Sequence, residues 1–337
     1  MARPASAADI GSKQDKGLDR NLTLELARVT ERAAVAAARW RGRGDEMAAD
    51  QAAVDAMRSE LDRLAIRGRV VIGEGERDSA PMLFIGEEVG GGGGPRVDLA
   101  VAPLEGSTLC AKDMAGAISI VAIAAAGSLL YAPDVYMDKI AIGPGYPKGV
   151  VDLDNEPGAN IAALAAAKGV APQDVTICLL DRPRHAELIG KCRAAGARVR
   201  LISDGDVAGI IFTTQPAETG VDMYLGAGGA PEGVLAAAVL RCVGGQMQGR
   251  LVLDSAAKTA RAAEMGVLDP RKKYELEALA SGDVVVCATG VTDGPLLFGV
   301  VFGKDFIETE TLVYRSSTGT VRRISAQHRL TGKFEID

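Results

Sequence analysis

Between residues 175 and 245 the chain alternates three apolar runs with three helical ones, and each switch passes through a short polar or glycine-rich turn. VTICLLD (175–181) leads into RPRHAELIGKCRAAG, RVRLISD (198–204) into GDVAGII, and VDMYLGA (221–227) into GGAPEGVLAAAVLRCVGG. Strands that alternate with helices require parallel neighbours joined by right-handed crossovers. Pro231 stands in the first turn of the third helical run, where its missing N–H costs nothing. Parallel strands bring their carboxyl ends to one edge, so the turns Asp181–His185, Ser203–Asp206 and Gly228–Gly233 are expected to converge there. Ligands of open α/β sheets bind at that edge. Arg182 and Arg184 offer forked donors to a phosphate, and the amides that open the helix after Gly229 suit an anion too. Gly and Asp are also ordinary turn residues, so each junction taken singly has a purely structural reading.

The first half has a different texture. Residues 22–40 carry a helical apolar period, GRGDEMAAD breaks it, and a second helix is expected from near Asp50. RVVIGEGERD reads as a strand running into an acidic loop, and the glycine run 90–94 with Pro95 separates it from the strand VDLAVAP. That run lacks the Lys-Ser/Thr of a phosphate loop and is weak as a nucleotide motif. Three acidic turns result: Asp45, Glu46 and Asp50; Glu74, Glu76 and Asp78; and Glu105 in PLEGS. Hard divalent cations take oxygen ligands, and phosphoryl transfer with metals draws carboxylates from several segments. With only His185 and His328 in the chain, a histidine-based zinc site is disfavoured. Alone, Asp50 reads as a helix cap, Glu74 and Glu76 as solvated turn residues, and His185 as a surface or capping residue.

Composition bounds the fold. With 337 residues, 41 glycines and 4% aromatics, the core must be built from Ala, Val, Leu and Ile between helices and strands, in two lobes or one large α/β unit. A net charge of -6 gives no basic face for nucleic acid. The five scattered cysteines read as reduced, buried thiols. The nearly uncharged segment 114–132 is broken by Gly127 and Ser128, and is expected to form two buried strands rather than a membrane span. The opening residues lack the apolar stretch of a secretory signal. The expected organisation is a disordered leader (1–21), an N-terminal metal-binding α+β lobe (22–150) and a C-terminal α/β substrate-binding lobe (151–337).

IGEGERDSAPMLFIGEEVG, PLEGSTLCAK, APDVYMDKIAIGPG, DRPRHAELI, ISDGDVAG, GGAPEGVLAAAVLRCVGGQMQGRL and ATGVTDGPLL, in that order, resemble the class II fructose-1,6-bisphosphatases, some of which also hydrolyse sedoheptulose 1,7-bisphosphate. The resemblance runs from about Leu24 to Leu330. It implies an inositol-monophosphatase-like sugar-phosphatase fold, a layered αβαβα sandwich, and a Mn²⁺ or Mg²⁺ requirement. It also implies a sugar bisphosphate as partner, no nucleic acid or membrane, a homodimer or homotetramer, and a cytoplasmic setting. Carried over by motif, the metal positions are Asp50, Glu74, Glu105 and Glu232, with Glu74, Glu105 and Ser107 catalytic. The substrate positions are Glu105, Gly106 and Ser107, Tyr136, Arg182, Pro183 and Arg184, Asp204, Gly205 and Asp206, and Gly229.

One departure is chemical. Where the family pattern is Asp-Pro-x-Glu/Asp-Gly-Thr, this chain reads Ala102-Pro103-Leu104-Glu105-Gly106-Ser107. Serine keeps a hydroxyl, but a methyl group offers a hard cation nothing. Glu46 also stands where relatives often carry lysine. Either Asp98, Glu46 or Glu76 supplies the lost ligand, although Asp98, four residues upstream on the same strand and roughly 13 Å away at strand rise, cannot simply reach over; or catalysis is impaired while substrate binding persists, as in an inactive sugar-phosphate-binding paralogue. An inositol-type monophosphatase shares the acidic turn but leaves DRPRH and GGAPEG without a role.

Overall fold

The computed structural model describes residue 18 and residues 20–75, 82–267 and 269–329. Most of the expected leader, together with Glu76 and Asp78, lies outside them. Along the chain come helices α1 (Arg20–Ala38) and α2 (Glu46–Leu61), strands β1 (Arg67–Ile72), β2 (Glu88–Val89) and β3 (Arg96–Glu105), helix α3 (Ser107–Ala111), and strands β4 (Ile118–Ala125) and β5 (Tyr136–Ile142). Then follow α4 (Pro157–Lys168), β6 (Thr176–Leu180), α5 (Ala186–Ala194), β7 (Arg198–Ile202), α6 (Asp206–Ile211), α7 (Pro216–Thr219), β8 (Met223–Gly229) and α8 (Ala230–Val243). The rest is β9 (Gln246–Leu251), α9 (Ala256–Glu264), β10 (Lys273–Glu275), α10 (Leu276–Leu279), β11 (Val284–Gly290), β12 (Val301–Phe302), β13 (Phe306–Arg315) and β14 (Thr320–Arg329).

The strands form two sheets. The first has the order β12-β13-β11-β4-β3-β1-β2, with β14 pairing the far side of β13, and the second has β10-β9-β5-β8-β6-β7. Strands β4 and β11 are apolar on both faces because both faces are covered. Ile118, Ile120, Ala122 and Ala124 enter the central core with α8, while Val121 and Ile123 pack under α1 and α2. Helix α8, rich in Ala and Val, is buried nearly all round between the sheets. The outer face of the second sheet packs Ile140, Ile142 and Ile177 against Ile161 and Leu164 of α4 and Ile189 of α5. These are the five layers αβαβα that the resemblance implied.

Strands β6, β7 and β8 are parallel, so the three junctions share one edge. Strand β5 enters beside β8 in antiparallel sense and makes the sheet mixed. The chain leaves the first sheet after Ala125 and returns with β11, so sheet membership does not follow a single cut at residue 150. Two local expectations are corrected. Helix α2 starts at Glu46, because Asp45 takes the cap and accepts from the Ala48 amide; Asp50 lies inside the helix. Segment 114–132 forms one strand, β4, followed by an isolated bridge between Leu129 and Ala280. Among the described residues no helix is long and apolar enough to cross a membrane, and all five cysteines are buried and free.

Asp98 is not near the acidic turns. Its buried carboxylate accepts from the amides of Gly127, Ser128 and Leu129, at 2.7, 3.1 and 3.4 Å, and holds the turn after β4. Removing an acceptor that satisfies buried donors costs about 1–3 kcal/mol. Asp98→Ala should therefore lower the unfolding free energy by that amount, read from denaturant melts, and leave cation affinity, read by calorimetry, unchanged.

Candidate active site

Four segments meet at one pocket of about 260 Å³, lined by Glu74, Ala102, Glu105, Asp134 and Glu232 among others. Glu74 follows β1 and is held by its own amide, which donates to the Leu83 carbonyl at 3.0 Å. Glu105 ends β3, and the register with β4 slips there: Ala102 pairs with Ile120, and Glu105 with Ile118. Such a bulge re-aims a side chain at the end of a strand. Gly106 then turns the chain at φ +85°, a conformation that favours glycine, and Ser107 opens α3. The Glu105 carboxylate accepts from the Val207 amide at 3.2 Å, at the start of α6.

Glu232 stands in the first turn of α8, behind a stretch of bare backbone. A Cβ on Gly229 would lie 1.8 Å from a Glu232 carboxylate oxygen, and one on Gly228 would lie 1.8 Å from Asp206 Oδ2. The two glycines let both acids press against β8. Gly205, at φ +81°, opens α6, and Asp206 behind it is buried in an ion pair with Lys139 at 2.5 Å. Lys139 is itself fully buried.

The electrostatics are those of buried carboxylates that repel one another. Burial, then the charges of Asp50 and Glu232, push Glu74 up to about 8. Burial, then Asp206 and Glu232, raise Glu105 well above the usual carboxylate range. Burial and Asp206 raise Glu232, and burial alone raises Asp50. The charge of Asp50, on α2, bears on Glu74, but Asp50 does not line the pocket. As they stand, no three His, Cys, Asp or Glu side chains among the described residues close on one point tightly enough to hold an ion. The donor chemistry nonetheless fits a hard divalent cation, whose charge would offset this mutual repulsion.

A pH dependence follows. In the fold Glu74 keeps its proton to about pH 8, against an ordinary value of 4.5, so between those values the folded chain binds more protons than the unfolded one. Stability of the metal-free chain should therefore fall as pH rises through that interval, and Glu74→Gln should flatten the slope in thermal melts. Cation binding near neutral pH should release protons, seen as calorimetric heats that change with the buffer.

Of the other expected substrate residues, Tyr136 and Arg184 line a second cavity of about 650 Å³, whereas Arg182, Pro183, Asp204, Gly205, Asp206 and Gly229 do not. Tyr136 starts β5 and pairs in register with Gly229. The Arg184 guanidinium lies 4.6 Å from the Tyr136 ring centroid and donates to the Ala227 carbonyl. Arg182 reaches Asp204 at 3.6 Å, and Pro183 opens a short 3-10 turn. Lys139, the ion-pair partner of Asp206, also borders this cavity. His185 is buried rather than at the surface. Its Nε2 accepts from the Ala227 amide at 2.9 Å, which leaves Nδ1 to donate to the Leu180 carbonyl at 2.8 Å and strap β6 to β8.

Of the three residues that could replace a carboxylate at position 102, Asp98 is engaged elsewhere, Glu46 is exposed at the start of α2, and Glu76 lies outside the described residues. The acid that does share the pocket with Ala102 is Asp134, which sequence reasoning passed over along with Lys139. Both lie in APDVYMDK; the available signal was a lysine facing inward, in register with Met137 and Ala141 along an apolar strand.

Comparison with known proteins places residues 20–328 within the family model described as "Bacterial fructose-1,6-bisphosphatase, glpX-encoded". Two relatives, each named D-fructose 1,6-bisphosphatase class 2/sedoheptulose 1,7-bisphosphatase, come from Synechococcus sp. strains. The protein of strain RCC307 is 47% identical over 95% of this chain and 99% of its own length. That of strain JA-3-3Ab is 44% identical over 94% of this chain and 98% of its own.

Proposed function

The chain belongs to the glpX-type bacterial fructose-1,6-bisphosphatase family, and on that footing we propose that it hydrolyses the 1-phosphate of fructose 1,6-bisphosphate, and also takes sedoheptulose 1,7-bisphosphate. The observation that carries this reading is the meeting of Glu74, Glu105 and Glu232 in one pocket, with Tyr136 and Arg184 in the cavity across the β8 edge. A substrate with a phosphate at each end needs an acidic, cation-loaded site for the reacting end and a guanidinium site for the other.

Asp50, Glu74, Glu105 and Glu232 would hold Mn²⁺ or Mg²⁺. The cation, when bound, neutralises phosphoryl charge and acidifies water beside it. Ser107 orients the attacking water in line with phosphorus. Arg182, Arg184 and Tyr136 hold the sugar and its distal phosphate, which is positioning rather than chemistry. The amides around Gly106 and Gly229 and the Asp204–Asp206 turn complete the cradle. Lys139 pairs with Asp206 and offsets its charge beside the other acids. The enzyme acts in the cytoplasm as a homodimer or homotetramer.

The test is phosphate release with Mn²⁺ and with Mg²⁺ from fructose bisphosphate, sedoheptulose bisphosphate and inositol monophosphate. A preference for inositol monophosphate would exclude the bisphosphatase reading. Ala102 favours a second reading, a sugar-phosphate binder without turnover. It holds if fructose bisphosphate binds in calorimetry while no phosphate is released with either cation.

A further inference from the structure

A cavity of about 790 Å³ lies remote from Glu74, Glu105 and Glu232. It lies at the opposite end of the first sheet, where β1 and β3 begin. Arg96 opens β3 and Glu105 ends it, nine residues on, or roughly 30 Å at strand rise. Three guanidinium side chains line this cavity: Arg67, Arg69 and Arg96. Arg67 and Arg69 are two apart on β1 and so share a face, and Arg67 is the register partner of Arg96.

Like charges placed side by side on a sheet face repel. Among the described residues none of the three arginines forms an ion pair with a carboxylate; Arg67 is held by its Nε, which donates to the Gly94 carbonyl at 3.2 Å. Two acids line the same cavity. Asp98 is committed to three backbone amides, and Glu88, although opposite Arg69 in register, is not paired with it.

The glycine run, which has no part in the proposed reaction, forms the rim. It is anchored: the Gly91 amide donates to the Leu64 carbonyl at 2.8 Å and the Arg67 amide to the Pro95 carbonyl at 2.9 Å. Gly94, at φ +74°, comes so close that a Cβ there would lie 1.9 Å from the Ala65 carbonyl oxygen. Only glycine fits, and its carbonyl is the one that holds Arg67. On the other side Tyr131, 39% exposed, offers a ring face.

We propose that this cavity is a second binding site, separate from the hydrolytic one, for a phosphorylated small molecule whose phosphoryl oxygens bridge Arg67, Arg69 and Arg96. Forked guanidinium donors match phosphate oxygens, and the volume is that of a metabolite rather than of a bare ion. Tyr131 covers the less polar remainder, and Glu88 accepts from a hydroxyl or amine on it. The proposal does not depend on the catalytic reading.

The probe is pyrophosphate, titrated calorimetrically into the full, metal-free chain at ionic strength matched with chloride. Arg69→Gln/Arg96→Gln should weaken binding tenfold or more, and Arg182→Gln/Arg184→Gln should leave a site of unchanged affinity. On the unaltered chain, pyrophosphate should protect Arg67, Arg69 and Arg96 from phenylglyoxal, read by mass spectrometry, so a variant that fails to fold leaves the test intact. Absence of binding, loss only in the Arg182/Arg184 variant, or protection confined to those two residues would overturn the proposal.

Discussion

Ala102→Asp should raise the rate of phosphate release from fructose 1,6-bisphosphate by about 10²-fold or more, the scale on which one preorganised stabilising group acts in a transition state. Position 102 lines the carboxylate pocket, and it precedes the bulge that aims Glu105. An aspartate there would project from the same wall and add an oxygen donor to a set of three glutamates and Asp134. Steady-state kinetics with Mn²⁺ checks it, and calorimetry should show tighter cation binding alongside. Equal activity in the two proteins would mean that the alanine is harmless and that another acid already does the work. Asp134 would then be the first to replace, since it shares the pocket and its charge already bears on Glu232.

The second large effect runs the other way. Glu105→Gln should reduce phosphate release by about 10²–10³-fold, because in the proposed reaction the residue gives the cation an oxygen ligand and ends the strand that presents Ser107. Its stability should hold or rise. The buried carboxylate is repelled by Asp206 and Glu232, and an amide of the same shape escapes that repulsion while its oxygen still accepts from Val207. A chain that melts no lower and yet has lost turnover separates a functional role from a structural one. A fall in melting temperature together with activity would point to Glu105 as a structural residue.

What could be read from the chain alone depended on whether the deciding interaction was local. The β6–α5, β7–α6 and β8–α8 junctions are written in successive residues, as periodicity switching through a turn, and the structure brings them to one edge. The acids at Glu74, Glu105 and Glu232 stood out because each follows an apolar strand or opens an apolar helix. Long-range register was not legible. That β5 inserts antiparallel beside β8 is settled by pairing Tyr136 with Gly229, nearly a hundred residues away, and only this pairing carries Lys139 to Asp206. His185 misled because a lone histidine before a helix has many uses; its bonds to Leu180 and Ala227 depend on β6 and β8 already lying together. The cap of α2 was misread by a few residues, since Asp45 and Asp50 are equal candidates until the turn geometry is known.

Helix α8 is also a gauge block. Ala236, Ala237 and Ala238 are fully buried between the two sheets, and their small size sets how closely those sheets approach. Glu74 and Glu105 hang from one sheet, and Tyr136 and Arg184 from the other, so the thickness of this middle layer is the calliper that spaces the two groups. Widening it by a single methylene at Ala237 would strain the interior and move the two cavities apart without touching any residue that lines them.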